Sequence, residues 1–556
     1  MLAQRHIMET EQKLGVPRWP RTGLGVLPSD FPLRRCLLRM VMGHPRESRP
    51  AVQLHDRVLD QISNLFGTSG SNDLHFALDV SVMSENVHVR LQDGFAPMWL
   101  DFQAEKLDDF DVSVQILCRN KLHGNFVIVG NSFVLASEMA AGMHGVLTRP
   151  VLRREMGKQA IVGKLSLEFM MCTPCPDSVL LVREPVSAAS RIPQFSKLIG
   201  HRGSGGRRTH YVQENTILSF LAAVMAANIT HVELDVQLTR DGEPIVFHDF
   251  FFRKRDSQWS TSQEIRVAPY SVTFAEWRGL QQSWCVAKDD DDLAVHAHED
   301  SGEIPDDLPS LHDVCCMLPE SVGLLIELKY PTPEQTHEIP YPNRNHFVDA
   351  VLNRVASSLH HHPRRSIVFL SFDADLCAML RMKQERFPVL FLNSERRERG
   401  NDMKDPRTVS IEHAAEYAAA SRLDGMVVLS DMVLENAQLP ACIRDHGLNT
   451  VLTYGRTNSD AASARRQLEL GVDALIADNV ALLSRQLSST TPVCANRSDI
   501  STEIMENNVR VNQSAFHPCL PRALPVPVKQ EAAYALQHAE MQLASSLLSI
   551  ESELPL

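Results

Sequence analysis

Eight ionisable side chains stand where an ordinary core would have none. Between residues 197 and 330, four otherwise apolar runs carry them: KLIGHRG ends in His201-Arg202-Gly203, HVELDVQL holds Glu233 and Asp235, PIVFHD ends in His248-Asp249, and GLLIELKY holds Glu327 and Lys329. Each run has the apolar, β-branched texture of a buried strand, and burying a charge is costly unless a partner or a metal compensates. Side chains alternate faces along a strand, so Glu233 and Asp235 share one face, as do Glu327 and Lys329. The link Thr239-Arg240-Asp241-Gly242-Glu243 is too short for a parallel crossover, and its Asp-Gly signals a hairpin. A two-residue turn there pairs Arg240 with Glu243 and sets Asp235 opposite His248.

Together these residues have the chemistry of a phosphodiester site. Glu233, Asp235 and Glu327 form a hard-oxygen set suited to Mg²⁺ or Ca²⁺. A cation and Arg202 can neutralise phosphate oxygens as charge builds, and Lys329 adds a point charge for phosphate or for a carboxylate. His201 and His248 allow one ring to deprotonate the nucleophile and the other to protonate the leaving alkoxide. Taken singly, a strand histidine is more often a satisfied core residue and Glu327–Lys329 a simple ion pair; the joint pattern carries the reading.

These residues need a scaffold that brings strand ends together. From residue 197 onward, nine strand-like runs alternate with amphipathic segments such as ENTILSFLAAVMAAN, HFVDAVLNRVASSLHHH and DAASARRQLELG, which implies βαβ units and parallel strands. With one arm of the Asp241-Gly242 hairpin set outside, eight runs remain. The expected fold class is therefore α/β, a (β/α)8 TIM-type barrel over residues 195–487. Its active site would lie at the C-terminal strand ends.

The rest of the chain is read more coarsely. At 556 residues it can hold more than one core. Residues 1–30 are expected to form a flexible leader, lacking the apolar core of a signal peptide. Residues 31–190, with runs such as LRRCLLRMVMG, FDVSVQILC and NFVIVGNSFVL, are expected to form a β-rich, sandwich-like accessory domain. REPVSAASRIPQF links it to the barrel. Residues 488–556 are expected to be a mostly disordered tail, although EAAYALQHAEMQLASSLLSI could form one docking helix. No apolar run is long enough to span a membrane, and the net charge of −13 argues against nucleic acid as a partner. Eleven cysteines without a framework spacing fit a reducing, cytoplasmic setting. Cys172-Thr173-Pro174-Cys175 supplies only half of a zinc site and reads as two small residues at a strand end. Asp289–Asp292 and the acidic run after it read as a solvated loop.

HRGSGGRRTHYVQENT, then VELDVQLTRDGEPIVFHD, then LLIELK, in that order, closely resemble the signature of the glycerophosphodiester phosphodiesterase family. SFD at 371–373, FPVLFLN and the closing GVDALIADN are similar to it too, and the style is nearest to the eukaryotic glycerophosphocholine phosphodiesterases. The resemblance implies hydrolysis of glycerophosphodiesters, with glycerophosphocholine the expected substrate, to sn-glycerol 3-phosphate and an alcohol. It implies His201 and His248 as the acid/base pair, in either order, and Glu233, Asp235 and Glu327 as ligands of a divalent cation. Arg202 and Lys329 would contact phosphate. Glu214-Asn215-Thr216 matches a motif that opens the first helix, where it could equally serve as a helix cap. Either water attacks directly, or the glycerol 2-hydroxyl first closes a cyclic phosphate.

The long acidic insertion between His248 and Glu327 departs from the family pattern. Its Trp259, Trp277 and Trp284, with Phe250 or Phe251, could offer choline an aromatic face, or could simply pack the loop. Related eukaryotic enzymes begin with a starch-binding-like module. Here only Trp19 and Trp99 precede the barrel, so glycan or protein contact through the N-terminal domain has no residue set behind it. Two other functions compete: an interaction protein with a weakly active barrel, and a lysophospholipid phosphodiesterase. The complete His, Glu, Asp and Lys set disfavours the first, and the acidic insertion disfavours the second.

Overall fold

Eight parallel strands close on themselves in the C-terminal half of the chain. They are β10 (Leu198–Gly200), β11 (His231–Leu238), β15 (Gly323–Leu328), β16 (Ile367–Ser371), β17 (Val389–Asn393), β18 (Gly425–Leu429), β19 (Thr450–Tyr454) and β20 (Ala474–Ala477). Each pairs with the next in parallel, and β20 returns to β10, so the barrel has no open edge. All eight coincide with runs predicted from sequence. The computed structural model describes residues 35–43, 50–66, 74–91, 100–120, 125–155, 157–175, 192–205, 212–255, 264–280, 308–331, 339–394, 406–408 and 410–488. The expected leader and tail, the Asp289–Asp292 run, Trp19, Trp99, Trp259 and Trp284 lie outside the described residues.

Ile199, Leu325, Leu370, Leu392, Leu452 and Ile476 fill the barrel interior, which is a packed core rather than a pore. Helices outside it begin on local signals. Thr216, Asn343, Asp373, Ser410 and Asp460 each accept a backbone N–H of their own helix as N-cap.

The ninth run, β12 (Pro244–Val246), is antiparallel to β11, as the hairpin reading required. The loop, however, holds three residues rather than two. Thr239 pairs with Glu243, and the observed register places Val236 opposite Val246. Asp235 therefore faces Phe247, whose N–H donates to the Asp235 carbonyl at 2.9 Å. Gly242 takes the left-handed position (φ 82°) that such a loop needs, so the predicted opposition of Asp235 and His248 is corrected by one residue.

Before the barrel, β1 (Cys36–Met42), β2 (Val52–Leu54), β3 (Leu74–Val82), β4 (Glu85–Arg90), β5 (Leu100–Ala104), β6 (Val112–Asn120), β7 (Val127–Val134), β8 (His144–Glu155) and β9 (Lys158–Cys172) form one antiparallel sheet in the order β4-β3-β6-β7-β8-β9-β1-β5, with β2 also paired to β9. Among the described residues, β13 (Phe252–Arg255) and β14 (Glu264–Val267) pair only with each other. Strand β1, Cys36–Met42, is buried throughout, and its one charge is compensated across the ladder. Arg39 faces Asp101 and grips it with two bonds of 2.8 and 2.7 Å. The end of β9 is tied to the outer layer of the barrel. Asn345 accepts from the Thr173 N–H at 2.9 Å and donates to the Met171 carbonyl at 2.7 Å. Lys383, fully buried, bonds Asp349 at 2.7 Å and reaches Thr173 Oγ1 at 3.5 Å. Cys172 and Cys175 are both buried at the end of β9; burial pushes Cys172 up to about 12, and Cys175 Sγ donates to Asn353 Oδ1 at 3.4 Å.

His231 at the start of β11 offers a test of the barrel floor. It is buried, its rings bonded to Thr230 and Ser366, and burial pushes it down to about 4. The unfolded chain therefore binds this proton more readily. Stability from this residue is complete above the ordinary histidine pKa and is lost as pH falls from about 6.5 toward 4. Between pH 7 and pH 5 the wild type should lose about 2 kcal/mol more than His231→Gln in urea unfolding. Parallel pH profiles for the two proteins would remove His231 from this role.

Candidate active site at the C-terminal ends of the barrel strands

The predicted residues converge. Glu233, Asp235 and Glu327 each offer an oxygen within 4.8 Å of the others, and all three are buried. In-register pairing of β11 with β15 sets Asp235 directly beside Glu327, so the strand ladder itself makes the cluster. Among the described residues this is the one such group of three His, Cys, Asp or Glu side chains.

The chain after β10 bends sharply to present Arg202. Arg202 (φ 50°) and Gly203 (φ 88°) are both left-handed. A Cβ on Gly203 would lie 2.5 Å from Ser219 Oγ, so both space and backbone angle demand glycine. The bend turns the Arg202 N–H onto Glu233 Oε2 at 2.9 Å. The guanidinium donates to Glu214 at 2.8 Å, and its Nε lies 3.3 Å from Asp235, near enough for charge attraction but off the line of a hydrogen bond. Lys329 lies 3.1 Å from Glu327 and 3.7 Å from Asp235.

Both histidines are held by aspartates at Nδ1. His201 donates to Asp478 at 2.7 Å and His248 to Asp249 at 2.6 Å, which leaves Nε2 of each ring for other work. Asn215 donates to Asp235 Oδ2 at 2.9 Å while Thr216 caps the helix Ile217–Ala227. Thr216 thus meets the cap reading of the Glu214-Asn215-Thr216 motif, while Asn215 reaches the carboxylate cluster. Sequence reasoning left Asp478 unassigned, although it lies in the closing DALIADN run. It gave Asp249 no role either.

Electrostatics divide the site. Burial, then Asp235 and Glu327, push Glu233 up to about 8, against the pull of His201 and Arg202. Burial also opposes ionisation of Asp235, but His248, Arg202, Lys329 and the Asn215 bond hold it below the usual carboxylate range. Burial, Lys329 and Arg202 hold His248 below the ordinary histidine value. For His201, burial and Arg202 act the same way, but Asp478 and Glu233 outweigh them and raise it. These directions belong to the metal-free centre, since a bound cation adds the largest local charge.

Trp277 does not line this site. It is buried against Phe247, with ring centroids 5.2 Å apart, in a small core with Ile245 and Leu308. Phe250 lies nearer, 6.1 Å from the Tyr341 ring, whose hydroxyl donates to the Lys329 carbonyl.

A parallel barrel with a buried carboxylate cluster, two aspartate-held histidines and two cations at its strand ends defines a class of phosphate-ester site. Residues 201–482 match the model of the glycerophosphoryl diester phosphodiesterase family, about half of the chain, and the chain belongs to that family. It is 28% identical over 438 residues to human "Glycerophosphocholine phosphodiesterase GPCPD1" and 27% identical over 435 residues to the rat protein of that name. Each alignment covers 73% of this chain and 64% of the relative, so the chain spans less than two thirds of those relatives' length. Among solved structures, glycerophosphodiester phosphodiesterase from Thermotoga maritima is 20% identical over 52% of this chain and 97% of its own, with a TM-score of 0.34. No helix among the described residues is long and apolar enough to cross a membrane.

Proposed function

We propose that the barrel hydrolyses glycerophosphodiesters, glycerophosphocholine among them, to sn-glycerol 3-phosphate and the free alcohol. The observation that carries this reading is the buried Glu233–Asp235–Glu327 cluster beside two histidines fixed by aspartates. Arg202 and Lys329 hold the phosphate oxygens and oppose their growing charge. One histidine takes the proton of the attacking oxygen, and the other gives a proton to the alkoxide as the phosphorus–oxygen bond breaks. The Nδ1 bonds to Asp478 and Asp249 fix the tautomer for both transfers. Residues 31–190 and 195–487 are the limits of the two domains in this reading, and the buried free thiols accord with a reducing cytoplasm.

The three carboxylates fit a divalent cation. They are hard oxygen donors with an oxygen each within 4.8 Å of the others, and burial together with Asp235 and Glu327 pushes Glu233 up to about 8 when no cation faces it. Glu233, Asp235 and Glu327 would hold Mg²⁺ or Ca²⁺. A bound cation supplies positive charge against the phosphate oxygens.

The test is release of glycerol 3-phosphate from glycerophosphocholine by the full chain, with Mg²⁺, Ca²⁺ or EDTA. Turnover that EDTA abolishes and one cation restores is expected. Failure with glycerophosphocholine, glycerophosphoethanolamine and glycerophosphoinositol alike, under every cation, would overturn the reading. Cation binding should also release a proton from Glu233 below its raised pKa. Titration calorimetry should then show affinity rising roughly 25-fold from pH 6.5 to pH 8.5, with proton release mostly at the lower pH. Equal affinity and no released proton would place the cation elsewhere.

A further inference from the structure

The β11–β12 ladder ends just where the second histidine begins. Its last backbone bond runs from Phe247 to Asp235, and His248-Asp249 continue as a loop with no strand partner. Gln237 takes over at that point. It lies two residues beyond Asp235 on the same strand face and is completely buried. Its Nε2 donates to the Phe247 carbonyl at 2.9 Å and to the Asp249 carbonyl at 2.8 Å. Both amide hydrogens are thereby spent on the two residues flanking His248. Because both partners are carbonyls, only the NH2 end of the amide can face them, so its orientation is not in question. The cost of that orientation is visible: Gln237 Oε1 is buried with no hydrogen-bond partner among the described residues.

We propose that Gln237 is a positioning residue, fixing the backbone on either side of His248 so that its ring meets the substrate in one place. This rests on the reading of His248 as one of the acid/base pair. Gln237 has no N–H left for substrate, so its effect should fall on turnover rather than on binding. A misplacement of about 1 Å is enough to slow a reaction roughly a hundredfold.

The test uses Gln237→Leu and Gln237→Glu in the full chain, each in wild-type and His248→Ala backgrounds, with glycerophosphocholine. In the wild-type background kcat should fall roughly 10- to 100-fold while KM stays within about twofold. In the His248→Ala background the same changes should cost nothing further, because the ring they position is gone. Equal losses in both backgrounds would mean a general structural role and would overturn the proposal. If Gln237→Leu fails to fold, Gln237→Glu keeps the shape while losing both donors, and carries the same comparison. Nuclear magnetic resonance of isotope-labelled histidine reads the positioning without any turnover. The His248 ring signals, assigned by their loss in His248→Ala, should move in Gln237→Glu, and unmoved signals would overturn the proposal. An inactive wild type in which those signals still move would instead fault the assigned reaction.

Discussion

His248→Ala lowers kcat for glycerol 3-phosphate release roughly a hundred- to ten-thousand-fold, the span of a positioned proton-transfer group. The ring is bonded through Nδ1 to Asp249 at 2.6 Å, and burial with Lys329 and Arg202 keeps its pKa below the ordinary histidine value. Such a ring is poised to exchange a proton, not to add a fixed charge. KM should change little, because the proposed phosphate contacts, Arg202 and Lys329, are left in place. Steady-state kinetics with circular dichroism as a folding control decides the matter. A variant that retains turnover within about threefold would leave His248 a structural residue, since removing general acid–base catalysis costs far more. A rise in KM with kcat unchanged would make it a binding group instead.

Asp235→Ala has the largest expected combined effect on stability and activity. The carboxylate is 1% exposed, so the field it supplies is barely screened. It lies 3.3 Å from Arg202 Nε and 3.7 Å from Lys329 Nζ, and it accepts from Asn215 at 2.9 Å. Removing it takes a partner from Arg202, Lys329 and Asn215 at once; Glu214 and Glu327 still hold the two cations, so the loss should lie at the low end of the roughly 3–5 kcal/mol for a buried pair broken from one side. It also deletes a carboxylate from the Glu233–Glu327 cluster, so turnover should vanish at any cation concentration. Asp235→Asn separates the two effects. It keeps the shape and a partner for Asn215, so its unfolding midpoint should fall less than that of Asp235→Ala, while its turnover is lost as fully. Near-wild-type turnover in Asp235→Asn would take Asp235 out of the cation site.

Most of the barrel was legible because its information is local. The alternation of apolar runs with amphipathic segments, the Asp241-Gly242 hairpin and the cap at Thr216 depend on neighbours a few residues away, and each falls where the pattern put it, the hairpin loop one residue longer. The active-site candidates were legible for a related reason. A charge inside a buried strand conflicts with its surroundings, and such conflicts gather at functional sites. Glu233, Asp235, Glu327 and Lys329 were visible as violations before any contact was known.

Tertiary structure decided what depends on closure and on register. Asp478 meets His201 across 277 residues, and no spacing rule links them; only the return of β20 to β10 does. The hairpin loop gained one residue over the expected turn. Because strand faces alternate with period two, that single residue moved His248 from opposition with Asp235 into a loop hung on Gln237. Trp277 was a candidate for the substrate face, with packing the alternative, until the insertion folded it against Phe247. The sequence by itself determined which residues are apolar, which turn and which charges are out of place, since these follow from periodicity and the cost of burial. Which charges face one another was left to the closed barrel, because pairing between distant strands exists only once every strand has found its neighbour.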